Sequence, residues 1–189
     1  MNTFQRWWMN AFPHRWHLRR HVPKFLRLSP EQFRGEVLEV GAGGGWTSRQ
    51  VLETCPQVEL TATDIDPGAR NEFEALRTTY GRRLKMREAN AMKLPFDRDS
   101  FDIVLAINIV PFLPPFGVRK ALQEFIRVTR PGGLIGVSDH LLFSISRHSR
   151  RGVIEDILTA ENCDILVAQG DGWYDIWARK AYPINQQEP

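Results

Sequence analysis

The sequence predicts an α/β protein: a single doubly wound domain with helices on both faces of a mostly parallel, seven-stranded sheet that carries one antiparallel strand. Three observations predict it. From residue 36 onward, short apolar runs alternate with segments of helical period, which is the pattern of βαβ units. The first apolar run closes on a glycine turn, Gly41-Ala42-Gly43-Gly44-Gly45, and the second ends on a carboxylate, Asp64. Phe101 to Ile107 is almost wholly apolar, as a parallel strand covered on both faces should be.

Residues 1–35 read as a basic, aromatic helical arm or lid. Phe4, Trp7, Trp8 and Ala11 recur at i, i+3, i+4 and i+7, Pro13 is expected to break that helix, and a second basic segment runs to about His21. In Leu28-Ser29-Pro30-Glu31-Gln32-Phe33, Ser stands at an N-cap, Pro at N1, Gln at N3 and apolar residues at both staple positions, so one more short helix is expected. Residues 36–182 form the main domain and 183–189 a tail. Glu36 to Val40 is its first strand, and a helix follows the glycine turn as far as about Thr54, ended by Pro56. Val58 to Thr63 is the second strand. Asp66-Pro67 opens a helix with Ala69, Phe73, Leu76 and Tyr80 on one face, and Gly81 supplies a left-handed stop. Leu84 to Glu88 is the third strand and Phe101 to Ile107 the fourth, a central one. A helix marked by Val118, Leu122, Phe125 and Ile126 precedes the turn Pro131-Gly132-Gly133 and a fifth strand, Leu134 to Ser138. A helix with Val153, Ile154, Ile157 and Leu158 leads to Cys163 to Ala168. The short connection Gly170-Asp171-Gly172 then forces Trp173 to Ala178 back antiparallel.

With 189 residues, 42% hydrophobic and 25% charged, the chain can bury about 70% of its surface around one core. Disorder, collagen, coiled coil and a disulfide-stapled miniprotein are excluded. Cys55 and Cys163 form no CxxC pair and have no His at zinc spacing, so a reducing, cytoplasmic setting is expected and no metal is implied. The longest apolar stretch, Ile103 to Val118, contains Asn108, Pro111, Pro114 and Pro115 and does not read as a membrane span. The net charge of +3 is unevenly placed: residues 1–30 carry six Lys or Arg and no acid, which leaves −3 for the rest. With Trp7, Trp8, Phe12 and Trp16 in the same stretch, this arm either faces a membrane surface or anionic partner or packs its aromatics on the domain and solvates its arginines. The apolar patch around Trp7 to Phe12 is too short for a secretory signal; an Arg-rich transit peptide stays open.

A glycine turn after the first parallel strand sets backbone amides and a helix N-terminus at the carboxyl edge of the sheet, a Rossmann-like arrangement that binds nucleosides. The dinucleotide pattern GxGxxG needs a third glycine where this chain has Trp46, and no Gly-Lys-Ser/Thr follows to make a P-loop. Asp64, 23 residues beyond Gly41, is placed to accept both hydroxyls of a ribose.

Val37 to Ser138 resembles the class I S-adenosylmethionine-dependent methyltransferases, in the manner of their small type-11-like domains. Val37-Leu38-Glu39-Val40-Gly41-Ala42-Gly43-Gly44-Gly45 is similar to the first motif of that family, and Thr63-Asp64-Ile65-Asp66 to the second. Glu88 to Phe96 resembles the third, with Asn90 where an acid usually meets the adenine amino group; the Asn carbonyl can accept the same hydrogen bond. Asp99-Ser100-Phe101-Asp102 and Arg130-Pro131-Gly132-Gly133-Leu134 match the entrance to strand four and the turn before strand five. The resemblance implies S-adenosyl-L-methionine as cofactor, held by Glu39, Gly41, Ala42, Gly43, Gly45, Asp64, Ile65, Asn90, Ala91, Met92 and Ile107. It implies Trp46, Asn108 and Phe112 as the acceptor pocket, although Trp46, Phe112 and Phe116 equally suit the core.

A sulfonium methyl is already activated, so such a protein chiefly aligns the nucleophile and excludes water. An amine or hydroxyl nucleophile also needs a proton acceptor. His140, past the fifth strand beside Asp139, is the best-placed candidate, with His14, His17 and His21 as rivals if the arm folds over the pocket. Pro111 stands where many relatives carry a His. Asn108 to Phe112 does not form the Asn-Pro-Pro-Tyr turn of adenine or glutamine amino-methylation, and neither cysteine is placed for pyrimidine carbon methylation. The leading reading is transfer to an O or N nucleophile of a small molecule. A lipid-like, RNA or protein acceptor, an NAD-dependent oxidoreductase, and a cofactor-binding module without turnover remain as alternatives.

Overall fold

Period-two alternation along the central strands divides the core into two layers. Val37, Ile103, Leu105, Ile107 and Leu134 face one way, while Leu38, Val40, Val104, Ala106, Ile135 and Val137 face the other. The computed structural model describes residues 12–29, 31–140, 150–170 and 172–183, with the backbone alone at 12–17 and 70–72. The helix expected over Phe4 to Ala11, and all but the first residue of the expected tail, lie outside these.

The elements are α1 (Phe12–Arg27), β1 (Gly35–Val40), α2 (Trp46–Thr54), β2 (Val58–Asp64), α3 (Ala69–Tyr80), β3 (Leu84–Glu88), β4 (Phe101–Ile107), α4 (Gly117–Val128), β5 (Thr129–His140), α5 (Arg151–Ala160), β6 (Cys163–Gly170) and β7 (Trp173–Lys180). The sheet runs β3-β2-β1-β4-β5-β7-β6, with β7 antiparallel to both its neighbours, as expected for one reversed strand near the edge. Val22, Phe25 and Leu26 of α1, Val51 and Leu52 of α2, and Phe73 and Leu76 of α3 cover one face. Leu122 and Phe125 of α4, with Ile154 and Leu158 of α5, cover the other.

Three features differ from the sequence reading. Among the described residues from Ser29 to Phe33, none is helical. Ser29 Oγ instead donates to the Glu31 carbonyl at 2.9 Å, and Phe33 drops into the core edge-on to Trp177, its ring centroid 5.6 Å away. The seven residues between Arg27 and Gly35 are too few to nucleate a further helix and still reach β1. The basic segment does not stop near His21 but continues through Pro23 to Arg27. Pro23 forfeits one backbone hydrogen bond there, a loss offset by burial of Val22, Phe25 and Leu26. Finally, β5 begins at Thr129, before the Pro131-Gly132-Gly133 turn, and absorbs the turn as a register shift against β4 between Phe101 and Ile103.

The direction of α1 matters for the site. Its Phe25 lies under Gly136 and its carbonyl accepts from Trp177 Nε1 at 3.1 Å, while His21, one turn earlier, reaches Ser138 near the end of β5. The helix therefore points its N-terminal end at the carboxyl edge of the parallel strands.

Candidate active site

Three of the turn glycines adopt positive φ: Gly41 (75°), Gly43 (50°) and Gly45 (73°). Side chains at two of these positions would also collide, since a Cβ on Gly41 would stand 2.6 Å from Ile109 and one on Gly45 2.6 Å from Leu76. Around Gly43 a Cβ would meet nothing within 4 Å, so this backbone borders open space. The Gly41 and Ala42 amides are fixed by the Thr63 carbonyl at 2.8 and 2.9 Å, which ties the turn to β2.

Asp64 ends β2 with one carboxylate oxygen on the Gly43 amide, at 2.7 Å, and the other on the Asp66 amide, at 2.8 Å. Each oxygen keeps a second lone pair. Ile65 beside it is 63% exposed. Ala89 donates to the Asp64 carbonyl at 2.9 Å and so carries the next loop alongside. There the Asn90 side-chain oxygen accepts from the Met92 amide at 2.9 Å, Ala91 is buried and Met92 half-buried. Ile107 is buried at the end of β4.

Glu39 points from β1 into the layer beneath the turn, where Ser48 of α2 donates its hydroxyl to it. Burial pushes its carboxyl up to about 8, against the pull of that hydroxyl, with the Asp64 charge adding a smaller push.

On the other side of the edge, Asn108 takes φ 54°, and its side-chain oxygen accepts from the His140 amide at 2.9 Å. Its Nδ2 is buried with no partner among the described residues. Asp139 is buried and receives the Tyr174 phenol; burial raises it to about 7, opposed by that phenol and by the Ile109 and Val110 amides. His140 ends β5 with its ring edge-on to Trp173, centroids 5.0 Å apart. Trp46, half-buried, opens α2 and packs on the α1–α3 side of the core; Phe112 is exposed. The edge thus gathers Asp64 and Asn90 on one half and Asn108, Phe112 and His140 on the other.

Sequence reasoning named His21 as a rival to His140 but missed the buried polar partners, Ser138 and Asp175, that hold it. His21 Nε2 lies 2.9 Å from Ser138 Oγ and 3.0 Å from Asp175 Oδ1, Ser138 Oγ donates to the same carboxylate at 2.6 Å, and the His21 ring stacks on Trp173 at 3.9 Å. The available signal was Asp175 itself, a charge inside the buried run Trp173 to Trp177. The thiols are no candidates for nucleophiles: both are buried, and burial pushes Cys163 up to about 11. Among the described residues, no three His, Cys, Asp or Glu gather as a metal site, and no helix is long and apolar enough to cross a membrane.

Comparison with known proteins agrees with this geometry. A family model described as "Methyltransferase domain" matches residues 37–133, just over half the chain. An uncharacterized protein of Haemophilus influenzae is 29% identical over 171 residues, covering 82% of this chain and 67% of that protein. The phthiotriol/phenolphthiotriol dimycocerosates methyltransferase of Mycobacterium tuberculosis is 30% identical over 123 residues, covering 64% of this chain and 44% of that one. The chain spans between 35% and 67% of the length of the curated relatives it matches. In fold, a SAM-dependent methyltransferase from Aquifex aeolicus superimposes with a TM-score of 0.74 at 15% identity, over 96% of this chain and 100% of that one.

Proposed function

The chain belongs to the methyltransferase domain family, an S-adenosylmethionine-dependent class, and from that premise we propose that it transfers a methyl group to an O or N nucleophile of a small molecule by in-line displacement. The single observation that carries the reading is the 2.7 Å bond joining Gly43 to Asp64, which locks the glycine turn and the ribose-binding acid into one cradle beside exposed Ile65.

The cofactor, when bound, supplies a methyl group already activated on a positively charged sulfur. The protein's task is then placement. The spare lone pairs of Asp64 receive the ribose hydroxyls, Ile65 and the Asn90 loop flank the adenine, and Gly43 lets the ligand approach the backbone. Glu39 offers a buried carboxyl whose ionised form a nearby cation favours. The acceptor enters from the half of the edge bearing Asn108, Phe112 and Pro111. His140, held through its amide by Asn108, stands there as the group able to take the proton that an amine or hydroxyl sheds. A lipid-like acceptor is the second reading, favoured by the exposure of Phe112 and Phe116 on the loop after β4.

The test is a thermal shift of the protein and of Asp64→Ala with S-adenosylmethionine, its demethylated product and NADH. Ligand at about 100 times its dissociation constant should add roughly 2.7 kcal/mol, about 5–10 °C for a chain of this size. Removing the carboxylate should weaken binding about 10²-fold or more. A shift with NADH but not with the adenosyl ligands would overturn the reading. Cofactor binding with no transfer to any member of a broad acceptor panel would favour a binding module.

A further inference from the structure

We propose that α1 is a working part of the acceptor half: His21 is a positioning residue that sets the His140 imidazole through the Trp173 ring that both touch. The inference rests on the methyltransferase reading above and on the role given there to His140. Strands β5 and β7 bring the parts together. Their antiparallel register pairs Ser138 with Asp175 and His140 with Trp173. Residues two apart on a strand share a face, so these four side chains stand on one face of the ladder, next to the pair of Gly136 and Trp177. That is the face α1 covers, since Phe25 stacks on Trp177 at 4.8 Å and His21, one turn earlier, sits over Ser138 and Asp175.

Hydrogen bonding leaves the His21 ring one orientation. Ser138 Oγ donates its single proton to Asp175 Oδ1 at 2.6 Å, so toward His21 the hydroxyl can only accept, as does the carboxylate oxygen. Nε2 therefore carries a hydrogen, shared between Ser138 Oγ at 2.9 Å and Asp175 Oδ1 at 3.0 Å, both on buried residues. Pinned there, the ring lies flat on Trp173, with centroids 3.9 Å and planes 7° apart. Trp173 is itself buried and meets the His140 ring edge-on, the planes 75° apart. The bond from the His140 amide to Asn108 fixes backbone; the Trp173 contact acts on the ring. A proton acceptor works only within hydrogen-bond reach of the atom it relieves, and a displacement of about 1 Å can cost about 10²-fold in rate. A purely structural anchor would need the two hydrogen bonds alone, so the flat stack on Trp173 is the observation that carries the proposal. It also divides the site by origin. Gly43 and Asp64 of the cofactor cradle lie within the matched segment 37–133, whereas His21, His140 and Trp173 all lie outside it.

The full chain, isotope-labelled at its five histidines, is compared by NMR with His21→Ala and His21→Gln, the His140 signals being identified from His140→Gln. Gln brings an amide N–H to the place of Nε2 and can donate to Ser138 and Asp175, but it has no aromatic ring. In the wild type the His140 ring protons should show a nuclear Overhauser contact to the Trp173 indole, and both His21 variants should lose most of it. Calorimetric affinity for the demethylated cofactor should stay within about twofold, because the cradle shares no partner with His21. With an acceptor drawn from the panel above, transfer should fall about tenfold or more at an unchanged cofactor KM. A contact that persists in both variants, or that is lost in His21→Ala and restored in His21→Gln, would overturn the proposal, the second because hydrogen bonds alone would then suffice. Unchanged transfer in a variant that has lost the contact, or unfolding of both variants, would overturn it as well. The underlying readings fail differently. Wild-type protein that does not bind the demethylated cofactor refutes the methyltransferase reading, full transfer by His140→Gln refutes the role given to His140, and a retained contact with cofactor binding intact refutes only the positioning.

Discussion

Replacing Glu39 by Gln should make the protein more stable, and increasingly so as the pH rises. Burial lifts the Glu39 carboxyl from 4.5 to about 8, so the folded state holds this proton more tightly than the unfolded chain does. A raised carboxyl pKa means that stability is lost as pH rises from about 4.5 toward 8. At about 1.36 kcal/mol per unit, the loss is near 1 kcal/mol at pH 5 and about 4 kcal/mol at pH 8. Gln has the same shape, can accept the Ser48 hydroxyl through its carbonyl oxygen, and carries no such cost. Urea unfolding of both proteins at the two pH values should therefore show the gap between variant and wild type widening by about 3 kcal/mol. Cofactor affinity should move the opposite way, rising with pH in the wild type and staying flat in Glu39→Gln, because a bound cation favours the ionised carboxyl. Parallel stability curves would refute the reasoning, since they would mean that the Glu39 charge is accommodated in the fold at little cost.

Asp175→Ala should cost about 2–4 kcal/mol in urea unfolding, because it strands the buried Ser138 hydroxyl and the His21 ring N–H that both lean on one oxygen. The fluorescence of Trp173 should change with it, as the stacked His21 ring loses its anchor. Gly136→Val should destabilise by about 1–3 kcal/mol or more, read as a lower thermal midpoint, since even its Cβ would stand 2.8 Å from the Trp177 ring and 2.9 Å from Phe25, both fully buried.

Local chemistry was legible in the sequence and distant pairing was not. The strand at Phe101 to Ile107 announced its central place because every side chain but that of Asp102 is apolar, and the turn at Gly41 to Gly45 announced its backbone because glycine adopts those φ angles most readily. The hairpin of β6 and β7 followed from a connection too short for anything else. By contrast, His21, Ser138 and Asp175 meet across 117 and 154 residues, and no spacing encodes that. Ser29 to Phe33 carried every local mark of a helix start, but packing of Phe33 on Trp177 decided otherwise. At the candidate site, Asp64 and the glycines were readable because their proposed roles follow from their own places at the ends of β1 and β2. The burial of Glu39 above Ser48 required knowing which face of β1 met α2.

The packing of α1 on β7 bears on how the chain is made. Phe25 and His21 find their partners in Trp177, Trp173 and Asp175, about 150 residues later. At 5–20 residues per second, a ribosome delivers those partners roughly 8–30 s after α1. Through that interval Phe25 lacks the Trp177 ring, His21 lacks Asp175, and β5 has no β7 to close its edge. The native sheet is thus completed only when the last strand arrives and seals the first helix in place. Nascent chains stopped before Trp173 should accordingly be cut by protease within α1, and chains that include Lys180 should be protected there.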